Sequence, residues 1–126
     1  MSTINNSDEL RNYASIVYTY KVLGSVHELG KYYLTEKDQK DLKSILGKME
    51  FVVLQTCNRV EIYIHDDTNS QQTVNVVLEF LHTKKGANIN KAIIYFGRDV
   101  VYHLFRVASG LDSLSIGEYE ILRQIR

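Results

Sequence analysis

The sequence predicts an α+β domain: a four-stranded antiparallel sheet with two helices on one face and further helices at the C-terminal end. Three observations predict it. Short runs rich in β-branched and tyrosine residues alternate with amphipathic stretches in the order β-α-β-β-α-β. Two of those runs, Phe51-Val52-Val53-Leu54 and Val60-Glu61-Ile62-Tyr63-Ile64, stand so close together that they must turn back on each other as a hairpin. The chain has no proline and no Gly-x-Gly-x-x-Gly, which argues against a dinucleotide-binding half.

The polar stretch from Met1 to Asn12 reads as a loose N-terminus or a short helical turn. Ser15 to Leu23 has the composition of a strand, closed by Gly24, and Gly24 to Tyr33 reads as a connection containing His27 and Gly30. Thr35 ahead of Glu36-Lys37-Asp38 is an N-cap signal, and Leu42, Ile45 and Leu46 form the apolar stripe of a helix ending near Gly47. The hairpin follows, from Glu50 to Thr56 and from Arg59 to His65, with Asn58 as a residue that tolerates positive φ in its turn. Val74, Val77, Leu78 and Leu81 line a second helix stopped by Gly86, and Ala92 to Phe96 make the fourth strand. This order is that of the split βαβ, or ferredoxin-like, arrangement. A third helix, capped by Asp99, carries Val100, Val101, Leu104, Val107, Ala108 and Leu111 on one face. A fourth amphipathic helix begins after Gly117 and stops in mid-pattern at Arg126, which predicts that the chain is a fragment of a longer protein. Residues 1–97 are expected to form the core and residues 98–126 a helical extension.

A chain of 126 residues supports one core without disulfides or metals. Fifteen basic and fifteen acidic residues cancel, so the overall electrostatic footprint usual for a nucleic-acid binder is missing, although a local basic surface remains possible. One cysteine and no apolar signal segment point to a reducing, cytoplasmic setting, and no stretch has the apolar length of a membrane span.

The one cysteine, Cys57, sits at the expected hairpin turn among Thr56, Asn58, Arg59 and Glu61. Polar neighbours and the nearby guanidinium suit a stabilised thiolate, whereas a lone cysteine is more often a small buried hydrophobe; the residues alone leave both readings open. His103 is four residues after Asp99, off the centre of the apolar stripe, and reads either as a helix-flank residue in a local contact or as a proton donor facing the thiol. No histidine pair has metal-ligand spacing with a second cysteine or a carboxylate cluster, so no metal site is expected. Nine tyrosines raise a competing possibility, an aromatic platform on strands one and four that binds RNA; Ile94-Tyr95-Phe96-Gly97-Arg98 lacks the aromatic alternation such modules carry.

Three segments carry a family resemblance: Thr56-Cys57-Asn58-Arg59-Val60-Glu61, the run from His103 to Ser113, and Gly117-Glu118-x-x-Ile121-x-x-Gln124. Together they resemble the N-terminal catalytic domain of glutamyl-tRNA reductase, and Gly24-x-x-His27 is similar more weakly. The resemblance implies an enzyme that reduces glutamyl-tRNA(Glu) to glutamate-1-semialdehyde with NADPH, opening tetrapyrrole synthesis. Cys57 would form a thioester, and His103 would act near the leaving oxygen or the ester carbonyl. Thr56, Asn58, Arg59, Ser113, Glu118, Tyr119, Glu120 and Gln124 would hold the substrate, with Arg59 able to fork onto the glutamate carboxylate. The NADPH-binding domain would follow this chain, the whole protein would be a homodimer, and the downstream aminomutase is a possible partner. The chain departs from the family pattern at Glu120, where Gln is usual, at Tyr119, where Pro is common, and at Glu28-Leu29-Gly30, where Lys-Thr-Ala is typical. A non-catalytic ferredoxin-like module binding RNA or a partner through its sheet is the alternative; a small-ligand regulatory domain on the same topology would call for glycine-rich ligand loops and no reactive thiol.

Overall fold

The computed structural model describes residues 10–110. Four strands, β1 (Tyr13–Thr19), β2 (Glu50–Gln55), β3 (Arg59–His65) and β4 (Ile93–Phe96), make one sheet in the order β2-β3-β1-β4. Every pairing is antiparallel, as the ferredoxin-like order requires. The helices are α1 (Tyr20–Leu23), α2 (Val26–Gly30), α3 (Glu36–Leu46), α4 (Ser70–Lys85) and α5 (Arg98–Ala108).

Strand alternation divides the sheet into two faces. Ala14, Ile16 and Tyr18 of β1 and Val60, Ile62 and Ile64 of β3 form the main core with Leu42 and Leu46 of α3 and Val74, Val77 and Leu81 of α4. Each such large side chain contributes roughly 1.5–3 kcal/mol on burial. The helices that supply the apolar layer are fixed at their starts. Thr35 Oγ1 accepts from Asp38 N at 3.1 Å and Asp38 Oδ2 accepts from Thr35 N at 3.0 Å, the reciprocal capping box that opens α3. Lys85 of α4 reaches Asp38 at 2.5 Å, so the same carboxylate ties the two helices together. Asn69 caps α4, whose other end closes at Gly86 in the left-handed region, φ 67°.

The run predicted as one strand to Leu23 divides at Thr19. Its side chain accepts from Val22 N at 3.3 Å and starts α1, so the β-like composition of Tyr20–Leu23 yields to a cap and a closing Gly24. The segment expected as a plain connection contains α2, capped by Ser25, and delivers Leu29 and Tyr32 to the core, with Leu34 just after it. The third predicted helix begins two residues early: Gly97 is its N-cap with no side-chain cap bond, and Asp99 lies in the first turn, where its charge complements the helix dipole. Gly97 adopts φ 60° and donates its N–H to Tyr13 O at 3.0 Å, which lets the chain leave β4 and cross to the other face.

That crossing positions the site. On the second face α5 buries Val100, His103 and Val107, and Val107 packs with Leu54, Tyr63 and Leu104. A groove of about 540 Å³ runs beside it, bordered by Tyr13, Val52, Tyr63 and Val101 among others. No described helix is long and apolar enough to cross a membrane. The predicted fourth helix and Ser113, Glu118, Tyr119, Glu120 and Gln124 lie outside the described residues.

Candidate functional site

The β2–β3 turn is held by its own backbone and by two neighbouring segments. Thr56 N donates to Arg59 O at 2.9 Å and Asn58 N donates to Thr56 Oγ1 at 3.1 Å. Tyr20, at the start of α1, donates its N–H to Asn58 O at 3.1 Å. Gln55 grips the backbone of Leu34 twice, accepting from its N–H at 2.6 Å and donating to its carbonyl at 3.1 Å. Beside that grip the Tyr33 hydroxyl donates to the Thr56 carbonyl. With the turn closed this way, Asn58 needs no positive φ, and no non-glycine residue described has one; the expected backbone role of Asn58 is thereby corrected. Its side chain instead accepts from the Cys57 thiol, Sγ to Oδ1 3.7 Å.

Thr56 and Asn58 are buried while Cys57 between them is exposed, so the sulfur is presented at the tip of a rigid hairpin. Tyr33 lies close enough to feel it. Burial first, and then the negative charge of a Cys57 thiolate, push the Tyr33 phenol above its ordinary value.

Arg59, Glu61 and Tyr63 project from β3 onto the second face, beneath α5. Glu61 is fully buried at 0% exposure, and its carboxylate is met by three side chains. Its Oε2 accepts from Arg59 Nη1 and from His103 Nε2, each at 2.9 Å, and its Oε1 accepts from Tyr63 OH at 2.5 Å. A carboxylate only accepts, so this contact calls for a proton on Nε2. Tyr95 of β4 stacks on the His103 ring, centroids 4.4 Å apart and planes 18° from parallel. Burial alone would raise the Glu61 carboxyl, but the hydrogen bond and charge of His103, with the bonds from Tyr63 and Arg59, outweigh it and hold the group below its ordinary value. Tyr63 is pushed up, chiefly by burial and then by the Glu61 charge.

The structure thus brings Arg59 and His103 together on Glu61 and sets Thr56, Cys57 and Asn58 side by side at the adjoining turn. His103 is not at the flank of α5: it lies between Val100 and Val107 on the buried face, and its carboxylate partner is Glu61, 42 residues away. The aromatic platform does not form as proposed. Tyr18 faces the helical core, donating to Asn88 O at 3.2 Å, Tyr20 is off the strand in α1, and Tyr95 is covered by His103. Sequence reasoning placed Glu61 near the thiol without giving it a role, and missed Tyr63, Tyr95 and Tyr33 as members of the site. For Tyr33 the available signal was its position just before a capped helix.

Residues 18–126 match the family model described as glutamyl-tRNAGlu reductase, N-terminal domain. The chain is 51% identical over 118 residues to the glutamyl-tRNA reductase of Saccharolobus solfataricus, covering 93% of this chain and 27% of that protein. To the glutamyl-tRNA reductase of Sulfurisphaera tokodaii it is 46% identical over 119 residues, covering 94% and 28%. The solved structure of the glutamyl-tRNA reductase from Methanopyrus kandleri superposes with a TM-score of 0.66 at 34% identity, covering 91% of this chain and 26% of that one. The chain therefore spans little more than a quarter of the length of these relatives.

Proposed function

Because this chain belongs to the family of glutamyl-tRNA reductase N-terminal domains, we propose that it carries the acyl-transfer half of glutamyl-tRNA reduction, in the service of tetrapyrrole synthesis. The Cys57 thiolate attacks the carbonyl carbon of the glutamyl ester on tRNA(Glu). A C–S bond forms, the C–O bond to the terminal ribose breaks, and the departing oxygen takes up a proton. The observation that supports this most is the exposed sulfur between two buried, hydrogen-bonded neighbours, two residues from an ionic cluster that holds an imidazole.

His103 is the proton donor in this reading, acting toward the leaving oxygen or the ester carbonyl. Glu61 and Tyr95 are positioning residues for it: one fixes Nε2 and the other the ring plane. Thr56, Asn58 and Arg59 bind the glutamate, with Ser113, Glu118, Tyr119, Glu120 and Gln124 completing the pocket. Residues 1–97 supply the nucleophile and residues 98–126 the helical part that completes the site.

Reduction of the thioester to glutamate-1-semialdehyde calls for NADPH, and the described residues do not fit that cofactor. Every strand pairing is antiparallel, and no glycine-rich loop leads from a strand into a helix in the manner of a dinucleotide site. The steps assigned to this chain end at the thioester.

The test is deacylation of glutamyl-tRNA without NADPH, where water takes the place of hydride as second acceptor. The native protein is expected to release glutamate and Cys57→Ser to lose that activity. Equal rates in both proteins would reject the assignment. The alternative, a module that binds RNA across an open sheet, is disfavoured because α5 covers the middle of the second face and Tyr95 with it.

A further inference from the structure

In the turn that carries Cys57, two of three backbone N–H groups are already used. Thr56 N–H goes to Arg59 O and Asn58 N–H to Thr56 Oγ1. The Cys57 N–H has no hydrogen-bond partner among the described residues, and it belongs to an exposed residue. The orientation of that amide is set from its other end. The Thr56 carbonyl shares a peptide plane with the Cys57 N–H, and no peptide bond described is cis. In a trans peptide the two groups point in opposite directions. The Tyr33 hydroxyl, donating to that carbonyl, therefore turns the Cys57 N–H away from the Tyr33 side. Gln55 anchors the same connection by its two bonds to Leu34, so the clamp is braced by the pair of residues next to the contact.

We propose that the backbone N–H of Cys57 is the oxyanion donor of the acyl-transfer step, and that Tyr33 is the positioning residue that aims it. The proposal rests on the acyl-transfer reading above. When Sγ bonds to the ester carbon, the carbonyl π pair moves onto oxygen. The negative charge so formed develops one residue-length from the sulfur, within reach of the nucleophile's own amide. Collapse restores the C=O bond and expels the ribose oxygen, which leaves with a proton. A donor fixed before the reaction lowers this barrier more than one that must reorient during it, and that fixing is what the phenol supplies.

The test separates chemistry that builds an oxyanion from chemistry that does not. Acylation by glutamyl-tRNA passes through a tetrahedral oxyanion; alkylation of the same thiol by iodoacetamide is a displacement at saturated carbon and has none. Tyr33→Phe keeps the ring and removes the hydroxyl. Measured on the native protein and on Tyr33→Phe, at a pH where the thiol is fully ionised, the single-turnover acylation rate is expected to fall roughly tenfold or more, part of the ~10²–10³ that an oxyanion donor supplies. The iodoacetamide rate is expected to stay unchanged, which also reports that the turn is intact. Equal losses in both rates would make Tyr33 a determinant of the thiol rather than of the oxyanion, and no loss in either would leave the phenol without a part in the reaction; each overturns the proposal. Failure of the underlying reading shows separately, as a Cys57→Ser protein that deacylates the tRNA as fast as the native one, and the proposal falls with it.

Discussion

Glu61 and His103 meet at 2.9 Å in a site where neither has more than a trace of exposed surface. A carboxylate placed there without partners would ionise reluctantly; with the imidazole on one side, Arg59 on the same oxygen and Tyr63 on the other, it is held as the anion. The pair links the sheet to α5, and its charge and its geometry serve the same end: the ring is fixed on one nitrogen and on one face.

Glu61→Gln keeps the shape and removes the charge. Arg59 and His103 then remain buried without their anion, a change that costs about 3 kcal/mol and lowers the melting temperature by roughly 10 °C. The tRNA deacylation rate is expected to fall as well, since the imidazole loses its orienting partner. Thermal unfolding and deacylation on the same sample check both, and unchanged melting would show that the cluster contributes nothing to the fold.

Asp66 and Asp38 set an acid limit. Asp66 is raised by burial, but bonds from Thr73, from the Thr68 N–H and hydroxyl and from the Asn69 N–H bring it down from an ordinary 3.8 to about 2. Asp38 is lowered to about 2, first by Lys85 and then by the Thr35 N–H. A carboxyl depressed in the folded state adds stability that is complete above the unfolded value and is lost as pH falls through the folded one. Urea midpoints are therefore expected to hold steady at neutral pH and to drop between about pH 4 and pH 2, by about 1 kcal/mol for each group once solvent screening is allowed for. Asp66→Asn should flatten part of that drop, and an equally steep profile in the variant would remove Asp66 from the account.

Burial sorts large side chains into those that hold the fold and those that do not. Leu81 is 1% exposed and packed in the main core. Leu81→Ala is expected to cost about 2–5 kcal/mol in chemical denaturation. Phe105 on α5 is 73% exposed. Phe105→Ala should change stability by less than about 0.5 kcal/mol, and a loss comparable with that of Leu81→Ala would place Phe105 in a contact that the described residues do not contain.

Gly86 closes α4 at φ 67°, with open space where a Cβ would stand. Gly86→Ala is therefore expected to cost about 1 kcal/mol from backbone strain alone, and Gly86→Asn less, since Asn enters the left-handed region more readily. Matched melting curves of the two variants test the order.

The sheet and two main helices were legible because their apolar periods are clean: Val60, Ile62 and Ile64 alternate at period two, and Thr35, Asn69 and Gly86 punctuate the helices where they should. The same alternation hid the ionic cluster. Arg59, Glu61 and Tyr63 are the polar half of a strand, and such a half is ordinarily the wet one. Their burial comes from a helix that starts more than thirty residues later, which strand periodicity does not encode. His103, expected off the centre of the apolar stripe, stands three residues after Val100 and four before Val107, in the middle of that face. Tyr20–Leu23 misled in the opposite way, its strand-like composition overruled by one threonine cap and one glycine. Cys57 stood out by its polar neighbours, and Thr56 and Asn58 by the family resemblance, whereas the grip of Tyr33 and Gln55 on their turn is a tertiary contact spanning more than twenty residues.

The glycine at position 97 divides the molecule's assets unevenly. Everything up to it holds all four strands, the sulfur, the guanidinium and the carboxylate; everything past it brings the imidazole. A polypeptide ending there would have the scaffold and the nucleophile and lack the group assigned to move the proton, so shape and reactivity are delivered by different stretches of the same chain.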